Sequence, residues 1–277
     1  MSNKLIVVMV DGLRNDLAEE NLGFLEHLVD AGIATRTVVQ SELPSLSRPL
    51  YEVLLTGTPS SVNGITSNGS VRLSEQESLF HLTKKHGRVN ATASYYWVSE
   101  LYNRAPFDYL YDREQRNPDK PIQYGKFYFE DDYPDSHLLL DGEVLRQQVN
   151  PDFLYIHSMN VDDAGHKFGS DSKEYREKIL RVDQYLSELI PLWRREGYQI
   201  VITADHGMTE WGHHGGTTDG ERMVPLYILS DNVKKGRFDS VIPQLAFAPF
   251  MCQLLAIPKS EKMQELPVSV TEMLEKK

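Results

Sequence analysis

Carboxylate and imidazole side chains recur in three short motifs of this chain, and groups of these two kinds bind divalent metal ions. The motifs are DDAGH at residues 162–166, DHGM at 205–208 and WGHHGG at 211–216. In the first motif, Gly165 would permit a tight turn that brings Asp162 and His166 to one ion. In the third motif, histidines between glycines contribute little to a hydrophobic core, which favours a functional role.

Buried strands are predicted directly before two of these motifs and before one further aspartate. Continuous apolar runs indicate four strands, at Leu5–Val10, Phe153–Ile156, Tyr198–Thr203 and Val224–Leu229. Asp11, Asp162 and Asp205 follow the first three of these strands. Because ligands of α/β proteins gather at the carboxyl ends of the strands, we expect these carboxylates to meet at one edge of the sheet.

Helical periodicity between the strands predicts an α/β fold, with a mostly parallel central sheet and helices on both faces. One stripe of apolar residues predicts a long helix over 175–193, capped by Asp171 with Glu174 and ended by Gly197. An earlier helix is expected between an Asn21 cap and Gly32.

The whole chain, residues 1–277, is expected to form one catalytic domain. The segment 95–145 is rich in Tyr, Asp, Arg and Pro and lacks a clean period. We expect it to be a small insertion or partial cap beside the substrate entrance, or else a long irregular surface connection.

The candidate metal ligands are three carboxylates and three imidazoles: Asp11, Asp162, His166, Asp205, His206 and His214. Such a set suits two divalent ions of borderline softness, zinc first and manganese second. The neighbouring His213 is the alternative to His214. Two dications outweigh three carboxylates, so a chain with a formal net charge of −11 can still present a locally positive site to a phosphate.

Ser47 is the candidate nucleophile. It precedes Pro49 at the predicted start of a helix that runs to Thr56 and Gly57. Backbone N–H groups and the dipole at a helix start favour an anionic phosphoryl group. A metal contact would make the hydroxyl a stronger acid and supply an alkoxide at neutral pH. The local sequence alone is more typical of a plain N-cap serine.

Taken in order, these motifs resemble the alkaline phosphatase superfamily, in particular its type I phosphodiesterase/nucleotide pyrophosphatase family. The resemblance includes VDGLR at 10–14, PSLSRP at 44–49, LTG at 55–57, Pro59, Gly64-Ile65, and the three metal-binding motifs. It implies one ion held by Asp162, His166 and His214. A second ion would be held by Asp11, Asp205 and His206, with the Ser47 oxygen beside it. The implied reaction passes through a phosphoserine that water hydrolyses, with retention at phosphorus.

The chain departs from that family next to the nucleophile. Relatives usually carry Thr followed by an aromatic residue, Pro and Asn, whereas this sequence reads Ser47-Arg48-Pro49-Leu50. The Asn that would bind a phosphoryl oxygen and the aromatic that would stack a nucleobase are therefore expected to be missing. Arg48 is expected to bind the phosphoryl oxygen instead, or to be a solvated cation. Asn63 stands where relatives often have His.

Composition limits the partners and the location that we expect. The net charge of −11 disfavours a nucleic-acid polymer, so a small phosphorylated substrate is expected. No apolar run approaches the roughly 18 residues that span a bilayer. The run Leu5–Val10 is too short for a signal peptide, and the lone Cys252 forms no internal disulfide. We therefore expect a cytoplasmic protein without membrane contact. The sequence does not predict the oligomeric state.

The sequence also bears on functions other than phosphoric-diester hydrolysis. A sulfatase would need Arg where Tyr51 stands, a phosphoglycerate mutase would need a larger inserted domain, and a serine hydrolase would need a Gly-x-Ser-x-Gly elbow. A phosphomonoesterase, a phosphonate hydrolase and a non-catalytic metal-binding protein remain open. We expect His157 to be a core histidine rather than a ligand and Arg14 to be a solvated cation at a helix start.

Overall fold

A single mixed sheet lies at the centre of the molecule. The computed structural model describes residues 3–275, and nine strands in this range form the sheet. In chain order they are β1 (Lys4–Val10), β2 (Thr35–Gln40), β3 (Asn90–Tyr95), β4 (Glu114–Arg116), β5 (Tyr124–Tyr128), β6 (Phe153–Ser158), β7 (Tyr198–Thr203), β8 (Met223–Leu229) and β9 (Gly236–Pro243). Across the sheet the order is β4-β5-β3-β6-β1-β7-β8-β2-β9. Five neighbouring pairs are parallel and three are antiparallel, which confirms the mostly parallel sheet.

Helices connect these strands and cover both faces of the sheet. They are α1 (Asn15–Asn21), α2 (Gly23–Asp30), α3 (Ser47–Thr56), α4 (Ser60–Asn63), α5 (Leu79–Lys85), α6 (Tyr96–Tyr102), α7 (Asp135–Val149), α8 (Asn160–Phe168), α9 (Lys173–Arg195), α10 (Asp219–Arg222), α11 (Phe247–Leu255) and α12 (Val268–Thr271), with a 3₁₀ turn at Gln244–Ala246. Phe80 of α5 packs on Phe153 and Tyr155 of β6, whereas Gly142 of α7 lies against Ile156 of the same strand. Side chains alternate between the faces of a strand, so α5 and α7 cover opposite faces. The predicted α/β fold is confirmed.

The four strands expected from apolar runs are all present as β1, β6, β7 and β8. Apart from the first residues of β1 and β8, their residues are buried, because helices cover the sheet on both sides. Among the helices of residues 3–275, none combines the length and the apolar character that crossing a bilayer requires.

Two helix starts differ from the sequence prediction. Helix α9 is capped by Ser172 rather than Asp171, since the Ser172 hydroxyl accepts a hydrogen bond from the Tyr175 N–H at 3.1 Å. Asn21 does not cap α2 but is the last residue of α1. The first N–H groups of α2 instead donate to the Asp183 carboxylate of α9, at 2.7 and 3.2 Å. A cap supplied from a distant helix leaves no local sequence signal.

The segment 95–145, expected to be an insertion or partial cap, contributes to the central sheet. It contains α6, the strands β4 and β5 at one sheet edge, and most of α7. The two strands have three and five residues, too few to give a clear alternation of apolar and polar positions. A capping role for its remaining loop, 103–113, stays a prediction.

Helix α3 carries a buried acid one turn and a half beyond Ser47. The Glu52 carboxylate accepts hydrogen bonds from the Tyr102 hydroxyl at 2.8 Å and from the Ser74 hydroxyl. Burial raises the pKa of Glu52 from 4.5 to about 7, and these hydrogen bonds offset only part of the effect. The folded state therefore holds this proton at pH values where the unfolded chain has lost it. Stability must fall as pH rises from 4.5 to about 7, and the full loss persists above pH 7.

Replacing Glu52 with Gln is expected to raise the free energy of unfolding at pH 8 by up to about 3 kcal/mol, because Gln resembles the protonated acid. The gain should be much smaller at pH 5. Urea unfolding of variant and wild type at the two pH values measures the difference. Glu188→Gln, an exposed position on α9, is the control and should show no such pH-dependent gain. Equal gains for Glu52→Gln at pH 5 and pH 8 would contradict the argument.

Candidate metal centre

The three acidic residues that follow parallel strands meet at one edge of the sheet. Strand β1 lies between β6 and β7 and runs parallel to both. Asp11 follows β1 directly, Asp162 lies in the first turn of α8 after β6, and Asp205 lies two residues after β7. The topology therefore brings these three carboxylates together from positions far apart in the sequence, as expected from their strand ends.

One group of potential ligands surrounds the Nε2 atom of His206. This atom lies 3.3 Å from Oδ1 of Asp11 and 3.2 Å from Oδ2 of Asp205. The Ser47 hydroxyl oxygen is 3.1 Å from the same nitrogen. All four side chains are buried, so their polar atoms face one another rather than bulk water. The arrangement can hold a cation with the serine oxygen at its side.

A second group lies on the more open side of the first. His166 and Asp162 occupy one face of α8, with Nε2 of His166 at 3.4 Å from Oδ2 of Asp162. Nε2 of His214 is 3.2 Å from Nε2 of His166 and 3.8 Å from Oδ1 of Asp162. The rings of His206 and His214 stack with centroids 3.6 Å apart, which joins the two groups. His213 is exposed and contacts Thr209 through its backbone, so His214 faces the cluster.

Each of the three imidazoles is oriented by a hydrogen bond between its Nδ1 atom and a backbone carbonyl. The partners are Gly212 for His166, Gly207 for His206 and Ser45 for His214, each at 2.8 Å. A carbonyl only accepts, so Nδ1 carries the proton of the neutral ring. In the neutral form of each ring, which is the form that binds a metal ion, the Nε2 lone pair then points into the cluster. His166 must first lose the Nε2 proton that its bond to Asp162 favours.

Three carboxylate oxygens of the cluster indicate that it can bind cations. Within the described part of the chain, Oδ1 of Asp11, Oδ1 of Asp162 and Oδ2 of Asp205 are buried and accept no hydrogen bond. Leaving such oxygens unpaired in the interior is costly. A cation bound between the carboxylates and the imidazoles would satisfy all of them, so the residues fit divalent ions.

The pKa values of the side chains in the cluster reflect their burial and their closeness to one another. Burial and then the charges of Asp11 and Asp162 raise the pKa of Asp205 well above its ordinary value. Burial also raises the pKa of Asp162 and lowers that of His214 to about 4, whereas the hydrogen bond to Asp162 raises the pKa of His166 to about 9. Cation binding would displace the protons that the carboxylates hold, so metal affinity should rise with pH.

Two glycines allow this close approach. Gly12 has a φ of 73°, and a Cβ atom there would lie 2.9 Å from the backbone and side chain of Asp162. Gly165 does not form the turn expected between Asp162 and His166, because both residues lie within α8. Its role is packing, since a Cβ atom at Gly165 would come within 2.7 Å of the Met208 side chain.

Ser47 is the first residue of α3, and Leu46 occupies the cap position. Its hydroxyl therefore faces His206 instead of capping the helix. The adjacent backbone N–H, that of Arg48, donates to Oδ1 of Asn68 at 3.1 Å. A side-chain amide thus stands beside the start of α3, although the expected position for such an Asn holds Leu50. Asn68 lies in the run that follows Gly64-Ile65, and this position is the signal from which the sequence could have indicated the residue.

The surroundings of Arg48 fit neither role expected from the sequence, that of a phosphoryl-oxygen ligand or that of a solvated cation. Its guanidinium is 1% exposed and pairs with Glu100 of α6 at 2.7 Å. It also lies over the Trp97 ring at 4.6 Å and donates to the Ser70 carbonyl at 3.3 Å. A guanidinium so enclosed is neither solvated nor presented to a substrate. The sequence did not predict this ion pair, because Glu100 lies 52 positions away from Arg48.

Two further residues act on the cluster without belonging to the predicted ligands. His157, expected in the core, is fully buried and lies with Nε2 at 3.0 Å from Oδ2 of Asp11. The Tyr51 hydroxyl donates to the same oxygen. Burial raises the pKa of Asp11, but the bond from His157 and the charge of His206 outweigh it and lower the pKa to about 2. Arg14 is partly buried and binds Asp16, at 3.0 Å from Nε to Oδ1, and Ser170 at 2.9 Å.

Comparison with known sequences finds GPI ethanolamine phosphate transferases among the relatives of this chain. GPI ethanolamine phosphate transferase 2 of Kluyveromyces lactis is 27% identical over 247 residues, which cover 84% of this chain and 29% of that protein. GPI ethanolamine phosphate transferase 1 of Homo sapiens is 21% identical over 304 residues, covering 93% of this chain and 32% of that protein. The chain thus spans about a third of the length of these relatives.

Comparison with solved structures and protein families gives a consistent result. Murine ectonucleotide pyrophosphatase/phosphodiesterase 5 superposes with a TM-score of 0.76 at 13% identity, covering 98% of this chain and 100% of that chain. The human protein of the same name gives 0.77 at 13% identity, covering 99% and 100%, so the fold is shared. The family described as type I phosphodiesterase/nucleotide pyrophosphatase matches residues 5–219. The chain belongs to that family, as its motifs implied.

Proposed function

We propose that this protein cleaves phosphoric diesters by transferring the phosphoryl group to Ser47 at a site for two divalent ions, with zinc preferred and manganese the alternative. The position of the Ser47 oxygen carries the proposal. It lies 3.1 Å from Nε2 of His206, a residue shared by two sets of potential ligands, one with Asp11 and Asp205 and one with Asp162 and His214. One ion would be bound by Asp162, His166 and His214, and the other by Asp11, Asp205, His206 and the Ser47 oxygen.

When bound, the ions would stabilise negative charge on the phosphoryl oxygens and favour the ionised form of the serine. The Ser47 oxygen forms a bond to phosphorus as the bond to the leaving alcohol oxygen breaks, and that oxygen takes a proton from water. The Ser47 phosphodiester is then attacked by water, which restores the serine and releases a phosphomonoester. Two in-line displacements give net retention at phosphorus.

Asn68 is proposed to hold a phosphoryl oxygen during this reaction. Its Oδ1 accepts from the Arg48 N–H, while its Nδ2 donates to no acceptor within residues 3–275. Asn68→Ala is expected to lower kcat/KM for a diester by about 10²-fold, the usual effect of losing one such donor. Zinc content should stay unchanged, because Asn68 contacts none of the proposed ligands.

Steady-state kinetics on bis-p-nitrophenyl phosphate and elemental analysis of the same samples measure these two effects. Ser67→Ala, an exposed position on the same loop, is the matched control and should behave as the wild type. Loss of zinc in Asn68→Ala, or kinetics equal to those of Ser67→Ala, would remove Asn68 from the site.

A second candidate function is transfer of the phosphoryl group to an alcohol in place of water. It is favoured by the relatives, which are named ethanolamine phosphate transferases and match 84% and 93% of this chain. The first displacement on Ser47 would be the same. The two functions differ only in whether water or a hydroxyl compound attacks the Ser47 phosphodiester.

Metal-free protein reloaded with zinc or manganese distinguishes these functions. We expect faster release of p-nitrophenol from bis-p-nitrophenyl phosphate than from p-nitrophenyl phosphate or a p-nitrophenyl phosphonate. With glycerol added, the products distinguish the two functions. A glycerol ester indicates transfer, and its absence indicates hydrolysis. Preference for the monoester or the phosphonate would replace the proposal with that activity. No turnover of any substrate with metal bound would indicate a non-catalytic protein.

A further inference from the structure

We propose that Tyr51 and His157 are positioning residues that determine which oxygen of Asp11 is presented to a metal ion. The inference rests on the proposed role of Asp11 as a ligand and adds two side chains that bind neither ion nor substrate. Both converge on Oδ2 of Asp11, with His157 Nε2 at 3.0 Å and the Tyr51 hydroxyl in hydrogen-bond contact. All three side chains are completely buried.

The two oxygens of Asp11 have different surroundings. Oδ2 accepts from two donors, whereas Oδ1 has no hydrogen-bond partner among residues 3–275. Oδ1 lies 3.3 Å from Nε2 of His206, on the side of the proposed ion. The carboxylate is therefore held so that Oδ1 is the free ligand atom. Binding an ion through both oxygens would break at least one of the bonds to Oδ2.

Hydrogen-bond chemistry fixes the direction of both contacts. An ionised carboxylate only accepts, so Tyr51 and His157 both donate. Nδ1 of His157 has no hydrogen-bond partner in the described chain, so Nε2 is the ring nitrogen that contacts Asp11. The rings of Tyr51 and His157 pack edge to face, with centroids 4.6 Å apart. Each donor thereby holds the other in place.

Tyr51 also connects the proposed ligand to the proposed nucleophile. It lies one turn beyond Ser47 on α3, so a single helix carries the serine and the donor to Asp11. His157 lies on β6, which pairs with the strand that precedes Asp11. Helix and strand together fix Asp11 relative to Ser47. Groups that orient metal ligands in this way typically change metal affinity by about 10- to 100-fold.

Zinc binding to the metal-free protein, measured in competition with a chromophoric chelator, tests the inference. The wild type is expected to show two binding steps. Tyr51→Phe should weaken one step by about 10-fold or more and leave the other unchanged, because only one ion contacts Asp11. His157→Ala should weaken the same step, and His157→Gln, which keeps a donor, should restore part of the affinity.

Tyr155→Phe is the matched control. Tyr155 lies on β6 two residues before His157, is equally buried, and its hydroxyl has no partner within the described residues. This variant should bind zinc as the wild type does. The melting temperature of each metal-free variant separates positioning from stability. Without metal, Tyr51→Phe is expected to melt somewhat below Tyr155→Phe, because only Tyr51 donates a hydrogen bond to a buried carboxylate. A loss of stability alone would weaken both zinc steps, whereas a loss of positioning weakens one.

Three outcomes would overturn the inference: unchanged zinc affinity in both Tyr51→Phe and His157→Ala, equal weakening of both steps, or equal weakening in Tyr155→Phe. A wild-type protein that binds no zinc would overturn it together with the proposed function. Two tight zinc steps that respond as expected, in a protein without phosphodiester turnover, would leave the inference intact and contradict the proposed function alone.

Discussion

Replacing Ser47 with alanine is expected to reduce phosphodiester turnover by at least about 10³-fold, because the step that forms the covalent intermediate is lost. The zinc content should remain near that of the wild type. The hydroxyl lies 3.1 Å from Nε2 of His206, but the carboxylates and imidazoles that surround the ions stay in place without it. Kinetics on bis-p-nitrophenyl phosphate and elemental analysis of the same preparation measure both effects.

The control for this variant is Ser60→Ala. Ser60 is a buried serine on α4 whose hydroxyl has no partner within residues 3–275, so its removal should leave turnover unchanged. If Ser47→Ala lost most of its zinc, Ser47 would be mainly a structural part of the metal site. If the variant kept normal turnover, another group would have to be the nucleophile.

Asp205→Asn is expected to have opposite effects on stability with and without metal. In the metal-free protein, burial and the charges of Asp11 and Asp162 raise the pKa of Asp205, so its ionised form opposes folding. The Asn side chain has the same shape and can still accept from the Gly12 N–H, which lies 3.2 Å from Oδ1. Removing the charge should therefore stabilise the metal-free protein at neutral pH.

With metal bound, the same substitution removes a ligand from a buried dication. Losing one partner of a buried charge pair costs about 3–5 kcal/mol, which corresponds to a loss of affinity of roughly 10²- to 10⁴-fold. Turnover at limiting zinc should fall at least as much. Thermal unfolding with excess zinc and with a chelator measures the change in stability under each condition, and the two changes should have opposite signs. Destabilisation of equal size under both conditions would mean that Asp205 has a structural role instead.

The sequence predicted the parts of the site that follow from strand ends. Asp11 and Asp205 directly follow apolar runs, and parallel pairing of those runs places their carboxylates together. The surroundings of these groups were not predictable in the same way. The bond from His157 to Asp11 joins residues 146 positions apart, and the pair of Arg48 with Glu100 joins residues 52 apart. Such contacts depend on how helices pack on the sheet, which leaves no periodic signal in the sequence.

The strands in the outer part of the sheet could not be predicted from the sequence for the same reason. Strands β4 and β5 are short, and pairing rather than an apolar pattern makes them strands: β5 pairs with β3, and β4 pairs with β5 at the sheet edge. The start of α2 depends likewise on a carboxylate from α9. A cytoplasmic location and the choice of zinc over manganese stay predictions.

The carbonyl groups that hold the three imidazoles have a consequence for how the protein acquires its ions. Each histidine is fixed through Nδ1 by a backbone carbonyl of the loop or helix segment nearby, and these bonds leave the Nε2 atom available to an ion. The entropy of ordering the ligands is therefore lost during folding, before an ion arrives. Metal uptake should then be a reversible exchange on a folded chain.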